Sequence, residues 1–376
     1  MRNKRVRDRV LFLLAIKPPG KKVDFDHIYE KVHRDSKATR NEIENALNEL
    51  ITEGLAEKAN SEFLITEEGR KKAWNLAFDP EMNKSYRYVY IARWYYKHVE
   101  DLILPFLKHR PVSVVKVFSD EKDPINKVKP IFARYAKQKP KKYNYINTHE
   151  DLWNYIDMHA IDFIPYVHSQ PRSQYPDWFV IDVDAGDTIK SAGKLGFQLI
   201  KEVTVEIYNT LREEFYIDSC IKFSGSRGFQ IWATFDKPLG NFDVYRDAIK
   251  VVQKEVEKRL SERYDEFREK YGTIIDIPIT TSEVAHAEKR TRKILLDWSC
   301  LKLEGDVRAP WSLHWKTCLV SVPLSPKDID KFDIDKADPI KVVENLEHLR
   351  GLFDLKPSEP SLLKKSTRPS LDLFFG

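Results

Sequence analysis

Cysteine is scarce in this 376-residue chain and poorly spaced for its usual structural uses. The three cysteines, Cys220, Cys300 and Cys318, form no Cys-x-x-Cys pair. That excludes a disulfide framework and leaves no zinc-ligand spacing. They read as thiols of a reducing compartment, and the expected location is cytoplasmic. No apolar run approaches the roughly 20 residues that a membrane span needs. The opening "MRNKRVRDRVLFLLAIKPPG" is basic and then apolar, superficially like a secretion signal. Its apolar run is short, no small-residue cleavage site follows, and its apolar positions continue at helical spacing. Internal repeats are absent. Excess charge of one sign is absent too: 32% of residues are charged, yet the net charge is only +5. Overall charge therefore does not argue for a nucleic-acid partner, and local clustering has to. What is present is a core: 42% hydrophobic and 12% aromatic residues exclude global disorder. The length suits one large domain with an added module, or two to three domains.

Residues 1–75 predict a small helical module. Val6, Val10, Leu11, Leu14 and Ala15 mark one face of a first helix, and "DFDHIYEKVHR" fits a second. A third opens at Thr39 with Glu42 three residues on, a capping-box pattern, and Gly54 is placed to end it. "LAEKANSEFLIT" then reads as a hairpin. Three helices and a hairpin resemble a winged helix. Glu42, Glu44 and Glu49 on the third helix suit a DNA groove poorly, so DNA binding and protein docking both stand open for this module.

From about residue 80 the texture changes. "YRYVYIARWYYKHVEDLILPFLKHR" predicts a long aromatic-rich helix, and "PVSVVKVFS" a strand. Residues 127–145 combine seven Lys/Arg with Phe132, Tyr135, Tyr143 and Tyr145. That interleaving suits either a groove that tracks a nucleic-acid strand or a solvated basic loop. Beyond residue 150, strands and helices alternate, giving a mixed α+β region through about residue 350. Residues 356–376, "KPSEPSLLKKSTRPSLDLFFG", read as a flexible tail.

Three stretches carry candidate chemistry. In "WFVIDVDAGD" a buried strand ends in Asp182 and Asp184, which point the same way about 7 Å apart at Cα. Such a pair is either a solvated or lysine-paired strand end, or half of a site for a hard divalent cation. "RKILLDWS" is a second apolar strand ending on a carboxylate, Asp297, which could complete a two-metal site for a triphosphate. Asp187 and Asp306 lie in turn-like surroundings and are weaker candidates. In "IKFSGSRGFQIWATF" a tight turn holds Ser224, Gly225, Arg227 and Gly228, followed by Gln230. It is either a plain hairpin or a phosphate cradle, with bare backbone amides and a planar guanidinium fork. It is not a Walker loop, because no Gly-Lys-Ser/Thr follows. "DVRAPWSLHWKTCLVSVPL" adds Arg308, Ser312, His314 and Lys316.

Taken in order, "DVD", "SGSRGFQIW", "LLD" and "RAPWSLHWKT" resemble the motifs of the archaeo-eukaryotic primase superfamily. The set is most similar to the polymerase domain attached to bacterial end-joining DNA-repair ligases, over roughly residues 85–325; "SLHWKT" is closer to the replicative primase small subunit. The resemblance implies an α+β primase-polymerase fold with an RRM-like catalytic sheet. It implies that Asp182, Asp184 and Asp297 hold two divalent ions, Mg²⁺ or Mn²⁺. Ser224, Gly225, Arg227, Gly228, Gln230, Arg308, Ser312, His314 and Lys316 would then hold the NTP or dNTP. The family's second motif ends in histidine where this chain has Gln230, which donates a hydrogen bond but cannot be cationic. The replicative subunit's zinc-binding cysteines are also missing.

The tail resembles a clamp-interacting peptide: Leu371, then Phe374 and Phe375 three and four residues on, with Arg368 in place of the usual leading glutamine. A sliding clamp is the implied partner, beside a DNA template and primer. The expected function is a template-dependent nucleotidyltransferase, a DNA primase or polymerase of repair or replication. The alternative is a catalytically weakened DNA-binding or clamp-docking factor that keeps the fold.

Overall fold

The computed structural model describes residues 2–170, 173–283 and 291–359, in a mixed α+β arrangement. Among these residues no helix is long and apolar enough to cross a membrane. Two compact units emerge. One comprises the chain up to Glu100 together with 114–133 and 149–162. The other comprises 101–113, 134–148 and the chain from Phe163 onward.

The first unit begins with the order α1 (Arg2–Ala15), β1 (Val23–Asp24), α2 (Phe25–Ser36), α3 (Arg40–Thr52), β2 (Ala56–Ala59), β3 (Glu62–Ile65) and α4 (Glu67–Ala73). The starts of its helices are written in local chemistry. Asp24 accepts the His27 amide ahead of α2. Thr39 and Glu42 form the reciprocal capping box ahead of α3. Ile43, Ala46, Leu47 and Leu50 give α3 a fully buried stripe. The strands form a sheet in the order β1-β3-β2. A 3-10 turn, Trp74–Phe78, leads to α5 (Lys84–Leu107). A further sheet has the order β5-β4-β8, from β4 (Val112–Ser119), β5 (Val128–Ala133) and β8 (Ala160–Pro165).

The second unit contains a short hairpin, β6 (Tyr135–Lys137) with β7 (Lys142–Tyr143); α6 (His149–Asp157) belongs to the first unit. The main sheet uses β9 (Trp178–Ala185), β10 (Cys220–Phe223), β11 (Phe229–Phe235), β12 (Thr280–Thr281), β13 (Ile294–Asp297) and β14 (Pro323–Leu324). Their order is β12-β13-β9-β11-β10-β14. Helices α7 (Asp187–Ser191), α8 (Lys194–Glu213) and α9 (Phe242–Ser261) follow their strands. On β9, Phe179, Ile181 and Val183 are buried. Phe179 meets Tyr245 of α9, and Phe197 of α8 stacks on Phe229 of β11. This aromatic packing leaves the alternate side chains of β9, Asp182 and Asp184 among them, for the opposite face.

Candidate active site

The site is a row across four strands. β9 pairs antiparallel with both β13 and β11, and the register sets Asp182 directly opposite Asp297 on one side and Gln230 on the other. β10 continues the row by setting Lys222 opposite Gln230. Directly opposed residues share a sheet face, so Asp297, Asp182, Gln230 and Lys222 lie side by side. Asp184, two residues along β9, is on the same face.

Lys222 and Gln230 are buried, with Lys222 fully out of solvent. The Lys222 ammonium donates to Gln230 Oε1 at 2.6 Å and to Ser321 Oγ at 2.7 Å. The Gln230 amide in turn donates to Asp182. Withdrawal from water, then the negative charges of Asp184 and Asp297, push the Asp182 carboxyl up to about 7. Lys222 and the hydrogen bond from Gln230 oppose that rise and do not overcome it.

Asp184 is held differently. Its Oδ1 accepts the Ala185 amide at 2.8 Å, and Lys190 of α7 pairs with the carboxylate at 2.8 Å. Asp184 thus takes the lysine-paired form that its sequence allowed. Among the described residues, no group of three or more His, Cys, Asp or Glu side chains is gathered closely enough to hold a metal ion as placed. The three acids are neighbours in electrostatic reach rather than a closed set of ligands. Their chemistry still fits a hard divalent cation: oxygen donors on one face, with a repulsion that a cation would relieve.

The Ser224–Gly228 turn closes on itself. The Ser224 amide donates to the Gly228 carbonyl at 2.9 Å. Gly225 has φ +87, and a Cβ there would lie 2.9 Å from His314 Cβ. A Cβ on Gly228 would lie 2.5 Å from the Val183 carbonyl oxygen. Glycine is required at both, once for backbone handedness and once for contact with the strand that carries the acids. The turn is braced from outside: Arg308 Nη1 donates to the Ser224 carbonyl at 3.0 Å, and Thr317 Oγ1 donates to the Gly225 carbonyl at 2.6 Å. Exposed Arg227 borders a cleft of about 900 Å³ that Lys190 and Lys194 also line.

The structure thus brings together Asp182, Asp184, Asp297 and the Ser224–Gln230 turn, with His314 and Arg308 against that turn. Ser312 is fully buried, and its hydroxyl accepts the Phe163 amide at 2.8 Å. Gln230 is buried and sits directly opposite Asp182. Lys316 is exposed. Asp306 is tied to Ser113 at 2.5 Å and to Arg134 at 3.3 Å. Tyr135 and Tyr143, whose stretch suits either a strand-tracking groove or a solvated basic loop, donate to Glu304 at 2.8 and 2.7 Å. Lys190 and Lys222 were missed. For Lys222 the signal was there: a lysine in the apolar run "CIKF", where only a buried partner would justify it. Leu371, Phe374 and Phe375 lie outside the described residues.

Comparison with known proteins gives three findings. A family described as LigD, primase-polymerase domain, matches residues 92–353, well over half of the chain. An uncharacterized protein of Methanocaldococcus jannaschii, MJECS07, is 30% identical over 156 residues. That match covers 37% of this chain and only 33% of the relative, so the chain spans about a third of that protein's length. Among solved structures, the polymerase domain of Mycobacterium tuberculosis Ligase D, in complex with DNA, matches with a TM-score of 0.51 at 18% identity. It covers 71% of this chain and 93% of that one.

Proposed function

This chain belongs to the LigD primase-polymerase family within the archaeo-eukaryotic primases, and on that premise we propose that it is a template-dependent nucleotidyltransferase that extends or initiates strands in DNA repair. The observation that carries the reading is the direct pairing of Asp182 with Asp297 on adjacent strands, with Asp184 on the same face.

Asp182, Asp184 and Asp297 would hold divalent ions, Mg²⁺ or Mn²⁺. When bound, these would neutralise the triphosphate and polarise the phosphoryl group under attack. The chain's own residues do the positioning. Arg227 offers a planar fork to phosphate oxygens at the edge of the cleft, with Lys190 and Lys194 beside it. Gly225 and Gly228 let the turn approach β9, and Arg308 keeps the turn in place. His314 and Lys316 are the remaining candidates for the nucleotide. Lys190 has to exchange Asp184 for phosphate when a nucleotide enters, because one ammonium cannot serve both fully. An RRM-like role for the main sheet, a winged-helix role for the order α1-β1-α2-α3-β2-β3, and clamp binding through Leu371, Phe374 and Phe375 complete the proposal.

A second reading is favoured by the Lys190–Asp184 pair and by Gln230: a DNA-binding or clamp-docking factor with weakened catalysis. One assay separates the two. The full chain is incubated with a labelled primer-template and with an unprimed template, each with NTPs or dNTPs and Mg²⁺ or Mn²⁺. Strand synthesis that disappears in Asp182→Ala supports the enzyme. DNA binding without synthesis under every condition supports the factor.

A further inference from the structure

A cleft of about 470 Å³ in the first unit lies far along the sequence from the β9 carboxylates, between the 3-10 turn and α5. Its volume is within the range of pockets that take a nucleotide-sized ligand. Trp74 and Trp94 form its wall, half-exposed, with ring centroids 5.1 Å apart and planes tilted by 56°. Tyr90 backs Trp74 at 6.2 Å and donates its hydroxyl to the Arg70 carbonyl at 2.7 Å, which fixes the ring. Trp74 also meets Phe78 at 5.2 Å and Trp94 meets His98 at 4.6 Å, so each indole keeps only part of its surface open to solvent.

The rim is cationic. Arg70, Lys71, Arg93 and Lys97 line the cleft, and no carboxylate does. Arg70 is anchored by a 2.8 Å bond to the Ala15 carbonyl. Arg93 is buried; its Nη2 lies 2.8 Å from Asp157, while its Nε has no hydrogen-bond acceptor among the described residues. Burial draws the Arg93 pKa down to about 10, so the guanidinium remains charged at neutral pH. Lys71 and Lys97 are exposed; among the described residues, Lys71 pairs with exposed Glu67 at 3.4 Å. Such a surface pair holds its lysine weakly.

We propose that this cleft binds single-stranded nucleic acid, with an unpaired base stacking on Trp74 and Trp94 and its flanking phosphates held by Lys71 and Lys97. Indole rings beside cations, with no carboxylate lining the cleft, match a base with its flanking phosphates. An acidic peptide would be the other anion of suitable size. The cleft is built on helices and offers it no open strand edge for main-chain pairing. The site lies in a different compact unit from Asp182, and its reading does not depend on the polymerase proposal.

The test uses the full chain without divalent metal or nucleotide. An eight-residue oligo-dT and an abasic strand of the same length are titrated at low salt, following tryptophan emission and fluorescence anisotropy. Oligo-dT is expected to quench emission and to bind at least tenfold more tightly than the abasic strand. Lys71→Glu with Lys97→Glu should weaken oligo-dT binding tenfold or more. Trp94→Leu should erase the difference between the two strands, and Trp94→Phe should keep part of it, which separates lost stacking from lost folding. Unchanged oligo-dT affinity in the double-lysine variant would overturn the proposal. So would equal competition by a Glu/Tyr polypeptide, which would mark the cleft as a peptide site. If the wild type synthesises no strand yet shows the Trp94-dependent difference, the polymerase reading fails and this one stands.

Discussion

The Lys222 ammonium and the Gln230 side-chain oxygen lie 2.6 Å apart, inside the sheet and one residue pair away from Asp182. The contact fixes the orientation of the glutamine amide. With Oε1 turned to Lys222, the NH₂ is left to face Asp182, in keeping with the lowering of the Asp182 pKa by Gln230. A neutral side chain thus passes the influence of a buried cation to the central acid without neutralising it. In Gln230→Leu the ammonium loses a hydrogen-bond acceptor, and Asp182 loses a donor. Stranding such a group costs about 1–3 kcal/mol. Thermal denaturation should show that loss, and metal-dependent strand extension should fall at least tenfold. Wild-type extension by Gln230→Leu would show that the amide does not orient Asp182.

The acids themselves make a sharper case. Asp182 is raised first by burial and then by the charges of Asp184 and Asp297, so each neighbour repels it in the folded chain. Removing one should relieve the fold while destroying the site, the reverse of what happens to an ordinary buried contact. Asp182→Ala, Asp184→Ala and Asp297→Ala are each expected to lower primer extension by about 10³-fold or more, in line with an effect on electrostatic stabilisation. The melting temperature of Asp182→Ala should stay level or rise, Asp184→Ala also gives up its Lys190 pair, and the thermal shift on adding Mn²⁺ should shrink in each variant. Asp306→Ala, by contrast, breaks the contacts to Ser113 and Arg134 and should lower stability. Extension at the wild-type level by any of the first three would remove that residue from the site.

Much of this arrangement was legible in the chain. Asp182 and Asp184 declare themselves by alternation on an apolar strand, and Asp297 by ending another. The capping box at Thr39 and Glu42 fixed the start of α3 to the residue. What periodicity could not supply was register. Nothing local says that Asp297 faces Asp182 while Gln230 flanks it from the other side, because pairing between distant strands is set by the whole core. Ser312 shows the same limit: nothing local in its cation-rich loop says that the Phe163 amide donates to its hydroxyl. Lys190 lies six residues beyond Asp184, and only the turn into α7 brings the two together.

Gly228 tests how tightly the phosphate turn has to sit on the acid-bearing strand. A methyl group there would lie 2.5 Å from the Val183 carbonyl oxygen, a backbone atom of β9 that cannot move without shifting Asp182 and Asp184. Overpacking of this kind costs about 1–3 kcal/mol. Gly228→Ala should therefore lose stability and also raise the KM for nucleotide, as the turn is pushed off the strand. Gly225→Ala meets both its φ of +87 and the His314 contact, and should show the same pair of effects. Steady-state kinetics with variable NTP or dNTP provides the check. A stability loss with unchanged KM would mean that the turn does not hold nucleotide.

His159 in the first unit gives a pH signature independent of the site. Burial, then the charges of Lys17, Arg93 and Lys116, draw its pKa down to about 4. Its ring lies 5.5 Å from Phe118. The unfolded chain would bind a proton at His159 near the ordinary value of about 6.5, whereas the folded chain resists until much lower pH. Stability from this group is therefore complete above about 6.5 and is lost as the pH falls toward 4. The backbone at His159 is left-handed, with φ +69, a conformation that asparagine tolerates better than most residues. His159→Asn should keep the fold and lose less stability than the wild type between pH 7 and pH 5. Chemical denaturation at a series of pH values measures the difference. Parallel curves for the two proteins would show that His159 does not titrate differently on folding, because a buried neutral imidazole has to separate them.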